Sequence, residues 1–116
     1  MSIVKRKPYR NRKILDLAHK VNECQVRIPG ICIGYSVEGC EPAHSNQSKH
    51  GKGAGQKADD NRHVAACHPC HVAIDQGPMP KAEKVRLWDA AFERTRALYM
   101  KLFGVDLEVM NDAPLD

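Results

Sequence analysis

Residues 67–75 read CHPCHVAID, from Cys67 to Asp75, the most informative stretch of the chain. A Cys-x-x-Cys pair that opens a helix is a common metal knuckle, and Pro69 suits a first helical turn, where no intrahelical amide bond is needed. The helix is expected over 69–76, with Gly77 ending it. His71 and Asp75 stand four residues apart, which puts both side chains on one helix face, where a divalent ion can bridge imidazole and carboxylate.

Cys67 and Cys70 find partners in Cys24 and Cys32. The first pair is separated by seven residues and the second by two, with 34 residues between the pairs. Two separated pairs converging on one ion describe a structural zinc site, since zinc takes four thiolates tetrahedrally and closes without an open position. A redox role for Cys67 and Cys70 leaves the other two cysteines unexplained. Cys40, the fifth cysteine, reads as a small buried filler, although its position also lets it replace Cys24 or Cys32 as a ligand.

The remaining elements follow from periodicity. Asn11 can cap a helix whose apolar residues Ile14, Leu15, Ala18 and Val21 carry it to about residue 22. The stretch 24–40 mixes β-branched residues with Pro29, Gly30, Gly34 and Gly39, which predicts a knuckle and short strands joined by tight turns. Residues 44–60 are a polar, glycine-rich loop, and a loop this long inside a small domain is a candidate functional segment. Val64 to Ala66 predict a short strand leading into Cys67. Residues 81–103 carry the strongest helix signal, with Val85, Trp88, Phe92, Tyr99 and Leu102 on one core-facing side and Gly104 as its stop.

The whole chain is 116 residues with 18 Lys plus Arg against 14 Asp plus Glu, which suits one small domain and excludes two. No run approaches the roughly 18 apolar residues of a membrane span. The basic N-terminus has no apolar stretch behind it, so it does not read as a signal peptide, and a cytoplasmic location is expected. Charge is uneven. Lys5, Arg6, Lys7, Arg10, Arg12 and Lys13 precede the first acid, while Asp106, Glu108, Asp112 and Asp116 close the chain without a base. The expected layout is a basic flexible arm over 1–10, one domain over 11–104 with its core at 23–77, and an acidic tail over 105–116. A basic end points to a polyanion, with DNA the expected partner, because Lys and Arg gain affinity by releasing phosphate counterions. Lys49, Lys52 and Lys57, interleaved with Gly51, Gly53 and Gly55, add cations to the long loop, where glycine permits close approach to phosphates.

Four ordered blocks, ECQVRIPGIC (Glu23 to Cys32), PAHSN (Pro42 to Asn46), HGKGAGQKADD (His50 to Asp60) and CHPCHVAID, resemble a phage and prophage family of HNH-type nucleases. The resemblance spans about 23–77. It implies an α+β fold in which a ββα-metal finger is braced by a treble-clef-like zinc, here flanked by an N-terminal helix and a long C-terminal helix. It also implies hydrolysis of DNA phosphodiesters in phage recombination or DNA processing, which allows a recombination protein as partner.

Carried over to this chain, His44 takes the place of the general base, a task suited to an imidazole that titrates near neutral pH. His71 takes the place of the histidine that binds the catalytic ion, Mg2+ or Mn2+, and Asp75 that of a second ligand to it. Asn61 lies nearest the middle asparagine of the motif.

Two departures stand out. Ala43 occupies a position where many HNH motifs carry an aspartate ligand, and Asn61 lies six residues before Cys67, one more than usual. Asp59 or Asp60 can take the role of Asn61 or supply a ligand. His50, His63 and His68 read as packing or surface residues, with His50, inside the long loop, the best exception as a ligand. The competing function is a non-catalytic, zinc-stabilised module that binds DNA or protein. The long amphipathic helix reads as core, so a monomer or weak dimer is expected.

Overall fold

The computed structural model describes residues 8–53 and 55–108. Residues 1–7 of the expected basic arm and 109–116 of the expected acidic tail lie outside the described residues. The fold is a small α+β arrangement: α1 (Arg12–Asp16), β1 (Glu41–His44), β2 (His63–Ala66), α2 (His68–Gln76) and α3 (Lys81–Phe103). None of the described helices is long and apolar enough to cross a membrane.

Asn11 caps α1 as its residue type predicts, its side-chain oxygen accepting the Ile14 amide at 3.3 Å. The α-helix is shorter than its apolar spacing suggested. It tightens into a 3-10 turn over Leu17–Lys20 and then extends at Val21, whose carbonyl accepts the Cys40 amide at 2.7 Å. The short strands expected within 24–40 are replaced by turns. Glu23 and Tyr35 form only an isolated bridge, and the Ile31 and Cys32 amides fold back onto the Ile28 carbonyl. A segment that must bring Cys24 and Cys32 to one point has to curl, and curling removes the extended backbone that pairing needs.

Strands β1 and β2 are antiparallel, with Glu41 opposite Ala66 and His44 opposite His63. All four residues of β2 are buried. Its outer edge is covered: the Ala65 amide donates to Thr95 Oγ1 on α3 and the Ala65 carbonyl accepts the Gln25 amide. An edge closed in this way offers no template for another strand. Pro42, which has no N–H to give, stands on β1.

Helix α3 buries Trp88, Ala91, Phe92, Thr95 and Tyr99 against the sheet, while Trp88 Nε1 donates to the Ala43 carbonyl at 3.1 Å. Leu102, expected on the same side, is 52% exposed. The core ends before the last turn, and Phe103 rather than Leu102 packs there. Gly104, at φ +67°, closes the helix by donating its amide to the Met100 carbonyl.

Both ends of the described chain lie against the domain. The Tyr9 amide donates to Asp59 Oδ1 at 3.1 Å, the Asn11 amide to Asp60 Oδ2 at 2.8 Å, and the Asp60 amide to the Tyr9 carbonyl at 3.0 Å. Leu107, in the stretch assigned to an acidic tail, is fully buried. His63 is also fully buried, its Nδ1–H donating to the Asp60 carbonyl at 2.7 Å and its Nε2 accepting the Tyr99 hydroxyl at 2.9 Å. That pairing requires the neutral ring, and burial lowers its pKa from 6.5 to about 4.

Two outcomes are expected. Gly39 sits at φ +91° with its Cα against the His19 carbonyl, so an added Cβ would overlap backbone. Gly39→Ala should cost about 3 kcal/mol or more in urea unfolding; an unchanged midpoint would show that the turn relaxes freely. For His63 the unfolded chain takes up a proton first as pH falls. Its contribution is therefore complete above about 6.5 and is lost towards about 4. The loss has a ceiling of roughly 3 kcal/mol. His63→Asn, which keeps a donor for Asp60 but does not titrate, should flatten the stability profile between these values.

Candidate functional site

The Sγ atoms of Cys24, Cys32, Cys67 and Cys70 all lie within 4.8 Å of one another. Thiolates around a tetrahedral zinc at about 2.3 Å would stand roughly 3.8 Å apart, and Cys67 and Cys32 are already at 4.0 Å. The local sequence builds the arrangement. Cys67 caps α2 and Cys70 lies in its first turn, while the curled segment after Val21 brings up Cys24 and Cys32. Cys40 is buried outside the quartet, and burial pushes its thiol up to about 12.

Electrostatics point the same way. The Cys70 hydrogen bond, aided by the backbone amides of Arg27, Cys67 and Val26, pulls the Cys24 thiol down to about 4 against the effect of burial. The same bond and burial push Cys70 far up, and burial raises Cys32. Four thiolates require a cation, so the donor set fits a structural metal such as zinc.

A second cluster is built on the same knuckle. His71 Nδ1 is 2.7 Å from Glu41 Oε1 and its Nε2 is 3.2 Å from Asp75 Oδ2. Asn46 Nδ2 donates to Asp75 Oδ1 at 3.0 Å, and the exposed His68 also reaches Glu41. The bond to Asp75 first, then that to Glu41, raises the His71 pKa despite partial burial. Burial pushes Glu41 up, but hydrogen bonds from His71 and His68 outweigh it and leave the carboxyl below its ordinary value. Asp75 is likewise lowered: burial opposes, while His71, Asn46 and the charge of Lys52 prevail.

His44, the last residue of β1, places Nε2 3.0 Å from Asp60 Oδ1. Asp60 is itself nearly buried, its other oxygen engaged by the Asn11 amide. Two residues beyond His44, Asn46 reaches Asp75, so the strand end and α2 are linked through one amide side chain.

The structure thus joins His71 with Asp75 and gathers the four cysteines, but it places Asn61 apart. Asn61 is fully buried and its Nδ2 donates to the Leu107 carbonyl at 2.9 Å. Its Oδ1 has no hydrogen-bond partner among the described residues. Lys49, Lys52, Lys57, Arg12 and Lys13 are exposed. Arg10 instead donates to the Lys57 and Ala58 carbonyls and stands 3.6 Å from Asp60, which ties it to the loop. His50 accepts from or donates to Ser45 Oγ at 2.6 Å and packs on Trp88. Sequence reasoning missed Glu41 and Asn46. Strand pairing and chain reversal carry them to α2, and no local spacing signals it.

A family model described as "Putative nuclease YbcO" matches residues 13–103, and the chain belongs to that family. No curated protein matches it. A solved structure described as that of a putative bacteriophage protein from Escherichia coli str. K-12 substr. MG1655 is 26% identical. The likeness covers 78% of this chain and 99% of that one, with a TM-score of 0.58.

Zinc analysis of purified protein should find about one ion per four-cysteine cluster. Chelation should release it and lower the melting temperature markedly, and Cys67→Ser should abolish stoichiometric binding. Metal-free protein that melts identically with and without chelator would remove the structural role.

Proposed function

We propose that the protein is a metal-dependent DNA endonuclease of the HNH type, acting in phage recombination or DNA processing in the host cytoplasm. The observation that carries the reading is the joining of His71 and Asp75 on a helix whose first turn belongs to the cysteine cluster, beside a strand that ends in His44. A rigid knuckle under a two-ligand site is what a metal-assisted reaction needs. A treble-clef-like zinc on Cys24, Cys32, Cys67 and Cys70 would hold that knuckle.

In this reading the Asp60 carboxylate accepts the Nε2–H of His44 and leaves the Nδ1 lone pair free. Nδ1 takes a proton from water, the resulting hydroxide attacks phosphorus, and the bond to the 3′ oxygen breaks, that oxygen taking a proton from solvent water, which leaves 5′-phosphate and 3′-hydroxyl ends. Asp60 keeps the ring in one tautomer and stabilises the imidazolium that forms, much as the aspartate of a Ser-His-Asp triad does. His71 Nε2 and Asp75 Oδ2 would hold a divalent cation, Mg2+ or Mn2+, in place of the proton between them, with Glu41 fixing His71 through Nδ1. When bound, that ion neutralises the scissile phosphate and the leaving oxygen. Lys49, Lys52, Lys57, Arg12 and Lys13 would track the DNA backbone.

The second reading, a zinc-stabilised binding module without turnover, is favoured by Ala43, which puts a buried methyl where a ligand is expected, and by the engagement of Asn61 with Leu107. Nicking of supercoiled plasmid and of branched DNA with added Mg2+ or Mn2+ separates the two. His44→Ala and Asp60→Asn should each slow cleavage by about 10²-fold or more while DNA affinity and zinc content persist. Folded, zinc-loaded protein that binds DNA but cuts neither substrate would select the binding module.

A further inference from the structure

Asn46 lies 29 residues before Asp75 in the chain, yet its Nδ2 donates to Asp75 Oδ1 at 3.0 Å, while Asp75 Oδ2 stands 3.2 Å from His71 Nε2. We propose that Asn46 is a third ligand of the divalent cation, its amide turning over to present Oδ1 when the ion is bound. The proposal rests on the metal-dependent nuclease reading and adds to it a neutral oxygen donor from the end of β1.

Spacing and chemistry carry it. Neighbouring donors in an octahedral shell about 2.1 Å from an ion stand about 3 Å apart, and both contacts of Asp75 are close to that edge. Mg2+ and Mn2+ favour oxygen ligands, but His71 and Asp75 bring only one carboxylate between them. Ala43 places a buried methyl where another carboxylate is expected.

The neighbouring polar side chains are committed elsewhere. Glu41 meets the other ring nitrogen of His71 and so orients the ring instead of facing Asp75. Ser45 is fully buried, and its Oγ engages His50 and the Gln47 amide. Gln47 donates its side-chain nitrogen to Asp89. Asn46 is exposed and faces Asp75, and the terminal torsion of an asparagine has two broad wells, so Nδ2 and Oδ1 exchange places at little cost. A bare carboxylate calls for the N–H end of the amide; a cation calls for the carbonyl end.

The three ligands together carry a single negative charge. An ion held by them keeps more of its positive charge for a scissile phosphate than a second carboxylate would leave it. Asn46 also follows His44 by two residues, so ligation would tie the strand end that carries the proposed base to α2.

The test uses zinc-loaded protein, whose cysteine cluster is already filled, and reads Mn2+ binding from the loss of the free-ion electron paramagnetic resonance signal. Asn46→Ala should weaken binding about tenfold. Asn46→Asp, which can ligate but cannot donate to Asp75, should tighten it about tenfold. The position is exposed, and unchanged zinc content and melting temperature would show that both variants keep the fold. In wild-type protein labelled with 15N, added Mg2+ should shift the Asn46 side-chain amide signals, and Asp75→Asn should abolish that shift. Undiminished Mn2+ affinity in Asn46→Ala overturns the proposal, as does an Asn46 signal that ignores Mg2+. Equal weakening in the Ala and Asp variants overturns it too, because that is the pattern of a hydrogen-bond donor acting only through Asp75.

Cleavage of plasmid and branched DNA separates the two levels. Metal-dependent cutting, with Mn2+ affinity and rate both untouched in Asn46→Ala, would sink the third ligand and leave the nuclease reading standing. Mn2+ binding that depends on Asn46 as described, without cutting of either DNA, would support the third ligand and sink the nuclease reading.

Discussion

Four thiols converge at the start of α2, and their meeting point governs where the neighbouring elements can lie. Cys67 links the buried strand β2 to α2 and Cys70 lies in the first turn of that helix, so whatever gathers their sulfurs fixes the angle at which the helix leaves the sheet. Cys24 and Cys32 bind the irregular segment before β1 to the same point. A chain of this size has few large apolar side chains with which to impose such an angle by packing alone, and metal ligation is the usual remedy in small folds. His71 follows Cys70 directly, so its imidazole inherits the precision of the cluster.

A second tie holds the other side of the candidate site. Asp59 and Asp60 receive backbone amides from Tyr9 and Asn11, and Asp60 also meets His44. Each amide bond to a buried carboxylate is stronger than a neutral one and leaves the acceptor little freedom. The orientation of His44 is therefore set by the segment around Tyr9, far from it in sequence. Arg62 adds a clasp, lying over the Phe92 ring while meeting Glu108 at 3.2 Å.

Much of this was readable in advance where chemistry and spacing coincide. The cysteine pairs, the helix starting after Cys67, the His71–Asp75 face and the long helix with Trp88 and Phe92 inward all follow from local pattern. What escaped was long-range. Glu41 is a solvated acid by any local reading, and only the antiparallel pairing of β1 with β2 brings it over α2. Asp60 stood in the sequence beside Asp59 as a candidate ligand or stand-in for Asn61, but its pairing with His44 emerges only when the Asn11 amide docks on it. Leu107 stands in an acidic stretch, where one leucine gives no periodicity to read, yet it fills the core beside Asn61. Leu102 erred in the opposite direction, because helical arithmetic continues past the point where the sheet beneath it stops.

The order of these parts along the chain has a bearing on how the protein is made. All four cysteines of the cluster precede residue 71, whereas α3, which seals β2, and Leu107, whose carbonyl accepts the Asn61 amide, are synthesised afterwards. During translation the knuckle can therefore gather on a cation while the hydrophobic side of the sheet is still bare. The nascent chain would then carry an ordered metal-binding half and an unsealed apolar half at once. Metal supply would govern the first stage of assembly, and completion of the last helix the second.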